Sequence, residues 1–263
     1  MFHITDPKPR IIHKTSICDR LVHRAIYRIL YWPCHQIFIP DSYSCRFGKG
    51  AHKALKRFRG FAYKTSKNHA KTVWILKCDV KKFFASIDQD LLLSVIKKYV
   101  SDPNLIWLIS EIIRSFQSTN TGRGLPLGNL TSQLFVNIYM NEFDQWMKQT
   151  MKVKYYIRYA DDFVILHQDQ SYLEELLWRI DEFLSERLKL SLHPNKVFIK
   201  TLSSGVDFLG WVHFSDHRVL RTTTKKKMFR KLELSKNKPE VVQSYRGLLK
   251  HGNAEKLRAK IEG

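Results

Sequence analysis

The middle third of the chain predicts an α+β fold in which helices back an antiparallel sheet. Three observations predict it. Residues 73–78 (VWILKC) are a short run of strand formers that ends directly at Asp79. Two runs of β-branched and aromatic residues, 153–159 and 163–166, are separated only by Ala160-Asp161-Asp162, a hairpin pattern with carboxylates at its tip. Between and after these runs, apolar residues recur at helical spacing.

In chain order, a helix is predicted from an N-cap at Asp88, with Leu92, Val95, Ile96 and Tyr99 on one face. Asp102-Pro103 starts a second, with Leu105, Leu108, Ile109 and Ile112 together. A Gly-Pro-punctuated loop, 121–128 (TGRGLPLG), leads into a longer helix from Asn129 that carries Tyr139, Phe143, Trp146 and Met147 in register. After the hairpin, Leu173, Leu176, Leu177, Ile180 and Leu184 mark another helix. Strands are expected at 196–200 and 206–214, with 218–221 closing a hairpin on the latter. The end reads as basic helix, Lys225 to Lys227, Arg230 and Lys231, then a second helix after Pro239.

The 263 residues are 44% hydrophobic and 26% charged, enough for a core, and the length fits one to two domains. Lys and Arg number 45 against 24 Asp and Glu, a net charge of +21. That excess is uneven: 1–72 carry 15 basic and 3 acidic side chains, 73–199 carry 15 and 15, and 200–263 carry 15 and 6. Basic flanks around a neutral centre point to a polyanion held on both sides of a working centre. Charge runs ordinarily just face water, but this excess is more than solubility asks of such a domain and opposes folding by self-repulsion. The cations are spread over several segments rather than one amphipathic face, which disfavours a membrane surface. No stretch approaches the roughly 18 apolar residues of a membrane span, and 1–10 (MFHITDPKPR) lack a signal-peptide core, so a soluble cytoplasmic protein without a membrane partner is expected. Cys18, Cys34, Cys45 and Cys78 form no Cys-x-x-Cys, which predicts scattered buried thiols rather than a zinc site.

Pairing the strand that ends at Asp79 with the one that ends at Asp161 would bring both carboxylates to one rim of the sheet. That outlines a divalent-cation site, since Mg²⁺ prefers hard oxygen ligands and paired ions serve polymerases and nucleases. Asp is also an ordinary turn residue, and only the flanking apolar strands and the charge context lift Asp161-Asp162 above that reading.

Together these segments resemble a bacterial reverse transcriptase. YYIRYADDFVIL around Asp161, KCDVKKFFASID around Asp79 and GLPLGNLTSQLFVNIYMNEFD at 124–144 look like its palm, followed by LHPNKVFI at 192–199 and FLGW at 208–211. DPKPRIIHKTSICDRLVHRAI at 6–26 and SYSCRFGKGAHKAL at 42–55 resemble the fingers. The form of 128–133 (GNLTSQ) is most similar to enzymes of diversity-generating retroelements, with group II intron and retron-type enzymes as cousins. The resemblance implies a right-hand polymerase fold, with fingers at 1–72, an interrupted palm at 73–215 and a short helical thumb at 216–263. It further implies RNA-directed DNA synthesis from dNTPs on an RNA template and a DNA or RNA primer, with two Mg²⁺ ions or Mn²⁺ in their place. A structured RNA or an accessory protein is a further partner it allows.

By matching positions, the resemblance implies Asp79 and Asp161 as metal ligands, Asp162 as their acidic neighbour and the Val80 carbonyl as a further ligand. Lys196 matches a lysine that protonates the departing pyrophosphate, with a solvated strand-end lysine as the equal rival. Substrate contacts fall on Arg10, Arg46, Phe84, Leu127, Gly128 and Gln133. Arg10 suits phosphate by its planar donors; Phe84 would exclude a 2′-hydroxyl by a clash, although a plain core phenylalanine has the same pattern. Arg46 and Lys49 are placed near template or nucleotide, and Gly48-Lys49-Gly50 lacks P-loop spacing. Leu127 stands where many such enzymes have Gln, which implies error-prone copying. Related enzymes carry tens of residues before the segment matching DPKPR, so the chain is expected to begin inside the fingers, and no nuclease, RNase H or maturase region is expected after residue 263. The rivals are a catalytically silent nucleic-acid-binding protein of the same fold, and an RNA polymerase that uses NTPs as well as dNTPs.

Overall fold

The computed structural model describes residues 2–4, 10–12, 16–116, 118 and 121–262. Two short strands, β1 (Phe2–Ile4) and β2 (Arg10–Ile12), pair antiparallel ahead of helices α1 (Ile17–Ile37) and α2 (Ala51–Thr65). The central sheet follows, interleaved with helices: β3 (Trp74–Asp79), α3 (Phe83–Ser86), α4 (Gln89–Lys97), α5 (Pro103–Arg114), α6 (Leu130–Gln145), β4 (Tyr156–Tyr159), β5 (Asp162–His167), α7 (Gln170–Leu188) and β6 (Phe198–Thr201). Its spatial order is β4-β5-β3-β6, with every neighbour antiparallel. A second antiparallel sheet, β7 (Val206–Phe208), β8 (Trp211–His213) and β9 (Arg218–Leu220), precedes helices α8 (Thr222–Leu234), α9 (Pro239–Leu249) and α10 (Glu255–Glu262). No helix among the described residues is long and apolar enough to cross a membrane.

Local chemistry accounts for most boundaries. Asp88 and Asp102 cap α4 and α5, accepting from the Leu91 and Leu105 backbone N–H at 2.9 and 2.7 Å. Lys189 reinforces the first cap at 2.8 Å. Ser16 and Asp19 form a reciprocal capping box at the start of α1. The sequence reading differs from the structure in several places. The first hairpin strand begins at Tyr156 rather than 153, and Asp162 lies inside β5, so the turn is only Ala160-Asp161. Residues 206–214 are two strands folded on each other at Leu209-Gly210, where both residues take positive φ. The C-terminal part holds a third helix, α10. Only Cys34 and Cys78 are buried thiols; Cys18 and Cys45 are exposed, and all four are free.

The central sheet is buried on both sides, and strand alternation sorts its residues between two cores. Leu76, Cys78, Phe163 and Ile165 face the core shared with α1 and α4 to α7. Ile75, Val164, Leu166 and Ile157 face a second core shared with α2, the small sheet and the C-terminal helices.

A buried ion pair joins the sheet to the helices. Arg158 of β4 and Asp144 of α6 are both fully buried and meet in a two-pronged contact at 2.6 and 2.8 Å. Tyr156 donates to the same carboxylate at 2.7 Å. The remaining guanidinium donors reach Ser42 Oγ at 3.2 Å, Asn137 Oδ1 at 3.4 Å and the Ala160 carbonyl at 3.0 Å. The Arg158 backbone also pairs with the segment after α1, donating to the Asp41 carbonyl at 3.0 Å and accepting from the Tyr43 N–H at 2.9 Å. One side chain thus ties together α6, the 41–43 segment and the hairpin turn. Both charges are fully engaged, the condition under which a buried pair is tolerated.

Removing one partner strands the other charge. Asp144→Ala is expected to destabilise the fold by roughly 3–5 kcal/mol, measured as the shift in urea midpoint against wild type. A second expectation concerns His213, which is 3% exposed and packs on Phe58 at 4.5 Å between ring centroids. Burial, with help from Arg218, pulls its pKa down to about 3. The folded state keeps the ring neutral while the unfolded state takes a proton below about pH 6.5, so stability is lost as pH falls from there toward 3. Wild type should lose roughly 2 kcal/mol more than His213→Asn between pH 7 and pH 5 in matched urea titrations.

Candidate active site

Period-two alternation places Lys77 and Asp79 on the same face of β3, and Asp162 and Val164 on the matching face of β5. Asp79 and Asp162 are direct cross-strand partners. Asp161 occupies the turn beside them, and its carbonyl accepts from the Val80 N–H at 3.1 Å, which pins the turn to the end of β3. Asp162, rather than the expected Asp161, therefore faces Asp79 at this end of the sheet.

Like charges directly opposite each other on paired strands repel, and two lysines answer that repulsion. Lys196 Nζ lies 2.5 Å from Asp79 Oδ1. Its placement comes from the turn at 192–196: Val80 bridges Leu192, the His193 N–H donates to the Asp79 carbonyl at 2.8 Å, and the Lys196 N–H donates to the His193 carbonyl at 3.0 Å. Lys77 stands diagonally across the strands, 3.4 Å from Asp162 Oδ2. Burial is the main cause that lifts the Asp162 pKa, to about 7, with Asp79 and Asp161 adding to it and Lys77 opposing it. The other oxygen of that carboxylate, Oδ1, is buried without a hydrogen-bond partner.

The donor set suits a hard divalent cation: three carboxylates and a backbone segment at a strand end, one buried oxygen still unmet, and two of the three carboxylates each met by an ammonium group. Among the described residues, however, no three His, Cys, Asp or Glu side chains are already gathered as a ligand cluster.

The loop before α6 is fastened to this end of β3. The Leu125 N–H donates to the Phe84 carbonyl and the Gly124 N–H to the Ile87 carbonyl, both at 2.8 Å. Gln89 completes the joint by donating to the carbonyls of Ile113, Phe116 and Gly124. Gly124 takes φ +99°, and a Cβ there would stand 2.8 Å from the Ser118 Cβ. Phe83 is core, while Phe84 is half-buried and packs against its edge at 5.6 Å. Leu127 is half-buried, Gly128 is exposed with φ +111°, and Gln133 is half-buried in the first turn of α6.

One of the expected contacts lies outside the described residues, and another is engaged elsewhere. Arg10 lies in β2, and its side chain falls outside the described residues. Arg46 is turned inward, donating to the carbonyls of Ile39 and Ser42 at 2.7 and 2.9 Å and lying over the Phe38 ring. Lys49 likewise donates to the Pro40 carbonyl at 2.7 Å. In the structure both shape the turn after α1.

Sequence reasoning missed Arg158, Asp144, Asn137 and Lys77 as the supports of the rim. It also missed His23, whose Nδ1 lies 2.7 Å from Thr131 Oγ1 and which fastens α1 to the start of α6. A charged residue inside an otherwise apolar strand, at 77 and at 158, was the available signal.

Comparison with known proteins fits this geometry. The family model for reverse transcriptase (RNA-dependent DNA polymerase) matches residues 5–213. The chain is 24% identical over 245 residues to Protein YkfC of Escherichia coli (strain K12), covering 78% of this chain and 62% of that protein. It is 23% identical over 289 residues to the Group II intron-encoded protein LtrA of Lactococcus lactis subsp. cremoris, covering 84% and 46%. The chain thus spans about half to three fifths of the length of these relatives. Among solved structures, apo telomerase from Candida tropicalis truncated from its C-terminal domain superposes with a TM-score of 0.62 at 12% identity, over 81% of this chain and 53% of that one. At that identity the likeness carries the fold, which is the right-hand polymerase fold. Fold, acidic rim and a family match over most of its length agree: the chain belongs to the reverse transcriptase (RNA-dependent DNA polymerase) family.

Proposed function

We propose that this chain is an RNA-directed DNA polymerase that transfers a deoxynucleoside monophosphate from a dNTP to a primer 3′-hydroxyl, templated by RNA. The observation that carries the reading is Asp79 facing Asp162 across β3 and β5, with Asp161 in the adjoining turn and Lys196 on Asp79. In this reading residues 1–72 are fingers, 73–215 palm and 216–263 thumb, and the partners are an RNA template, a DNA or RNA primer and dNTPs, with a structured RNA or accessory protein as a further candidate. Asp79, Asp161, Asp162 and the Val80 carbonyl would hold Mg²⁺ or Mn²⁺, which supplies Lewis-acid charge neutralisation for phosphoryl transfer.

The chain's own side chains do the rest. Lys196, which meets Asp79, would give a proton to the pyrophosphate leaving group. Phe84 sits half-buried against the core, where a rigid ring rejects a 2′-hydroxyl by overlap. Leu127 offers a nascent base pair an aliphatic contact in place of an amide. Gly128 and Gln133 line the approach to it, Arg10 takes the triphosphate, and Arg46 acts by holding the turn after α1. Positioning and charge neutralisation supply most of the acceleration in such a reaction.

Primer extension on poly(rA)/oligo(dT) with Mg²⁺ or Mn²⁺ tests the reading. Wild type should extend the primer, and Asp161→Ala should lower the rate by roughly 10²–10³-fold or more while binding is retained. Equal inactivity of both proteins, with binding intact, would replace the enzyme by a nucleic-acid-binding protein of the same fold. Phe84→Val should raise NTP incorporation relative to dNTP, and NTP use equal to dNTP in wild type would make the chain an RNA polymerase. Leu127→Gln should narrow the misincorporation spectrum; an unchanged spectrum removes Leu127 from fidelity control.

A further inference from the structure

A recess of about 350 Å³ lies between α2, the turn joining β8 to β9 and the connection from α9 to α10. Its wall includes Arg59, His213, Phe214, Arg218, Lys250 and His251, and none of the residues of the acidic rim. His213 stands at the end of β8 away from the Leu209-Gly210 turn.

The fold gathers three cations here, Arg59, Arg218 and Lys250, none of them in an ion pair among the described residues. The acidic side chain in the wall, Asp216, is held by His217 at 2.7 Å. Burial, and then Arg59, disfavour the charge on Arg218; burial, His52 and Arg218 act the same way on His251. Such an arrangement costs free energy unless an anion enters it.

Two residues that line the recess each have a polar atom buried without a partner. One is a donor, Arg218 Nη1. Its guanidinium is fixed, because Nε donates to the His251 carbonyl and the group lies over the Trp211 ring at 5.4 Å. The other is Nε2 of His213, a residue 3% exposed. A hydroxyl, which both donates and accepts, can meet Nε2 of the neutral ring whichever nitrogen carries the proton. A fixed guanidinium edge, two further cations and an unmet ring nitrogen around one recess match a phosphate with a hydroxyl beside it.

We propose that this recess is a second nucleic-acid contact, which takes a sugar-phosphate unit of an RNA strand: the phosphate on Arg59, Arg218 and Lys250, and a ribose hydroxyl on His213. RNA meets both demands at every nucleotide, whereas an internal DNA nucleotide lacks the hydroxyl. The proposal does not depend on the polymerase reading, since it uses none of the rim carboxylates.

The test uses the 263-residue chain and the exposed residues Arg59 and Lys250, whose reversal leaves the core intact. Binding of a labelled single-stranded RNA is measured between 50 and 200 mM salt for wild type, for Arg59→Glu/Lys250→Glu, and for a charge-matched control, Lys97→Glu/Lys152→Glu. The first variant should bind about tenfold or more weakly than the control, with the salt slope lower by about 2, one for each cation taken off the phosphate. Thermal unfolding with added inorganic phosphate at matched ionic strength separates the sources of the anion. If phosphate raises the Tm of wild type but not of the Arg59→Glu/Lys250→Glu variant, and RNA binding is unaffected, the site takes free phosphate and the strand assignment is overturned. If that variant matches the control in both measurements, the site itself is overturned. Either failure leaves the primer-extension result for Asp161→Ala untouched.

Discussion

The Arg158–Asp144 pair is the constraint on which the rest of the molecule depends. A guanidinium inside a β-strand is tolerated only if its charge and donors are all met, and here a carboxylate on α6, a hydroxyl on the 41–43 segment and a turn carbonyl meet them. The stabilisation such a pair gives, relative to an apolar replacement, is small. Its geometric effect is large, because an unmet donor in this setting costs free energy wherever one of those elements shifts. The pair therefore fixes the distance between helix, sheet edge and hairpin turn together, and so the place where Asp161 stands.

The acidic rim is the second consequence of strand physics. Cross-strand register sets Asp79 against Asp162, and the same alternation sets Lys77 on their side. The repulsion is absorbed by Lys77 and Lys196, one from within the sheet and one from the 192–196 turn. A chain that keeps two carboxylates opposed and then commits two ammonium groups to them is arranged for positive charge at that point, and the unmet Asp162 oxygen points the same way.

Much of this was legible in the sequence. The capped helices at Asp88 and Asp102 were, because a short side chain before an apolar period is a local signal. So was the pairing of the strand that ends at Asp79 with the hairpin strand, because both are short apolar runs bounded by turn residues. The turn was misplaced by one residue: Asp162 is a poor strand former by composition, and tertiary pairing with Asp79 and Lys77 draws it into β5. Helices α1 and α2 were not assigned, since α1 contains Pro33 and α2 is rich in cations; their buried faces, Ile26, Leu30 and Cys34 in one and Leu55, Phe58 and Ala62 in the other, stand out only once their partners are known. The substrate contact at Arg46 was implied by resemblance, and nothing local announced the three backbone carbonyls that its guanidinium meets.

The direct opposition of Asp79 and Asp162 also limits how this gene can drift in length. Deleting or inserting a single codon within residues 74–79 or 162–167 would shift the pleat by one step and send the carboxylate beyond the change to the opposite side of the sheet, under α4 to α7. The exposed bend at 236–238, between two helices, carries no such parity and can absorb changes in length, as exposed bends like it generally do. Length variation among natural versions of this chain should therefore be confined to such bends, with both strands kept at constant residue count.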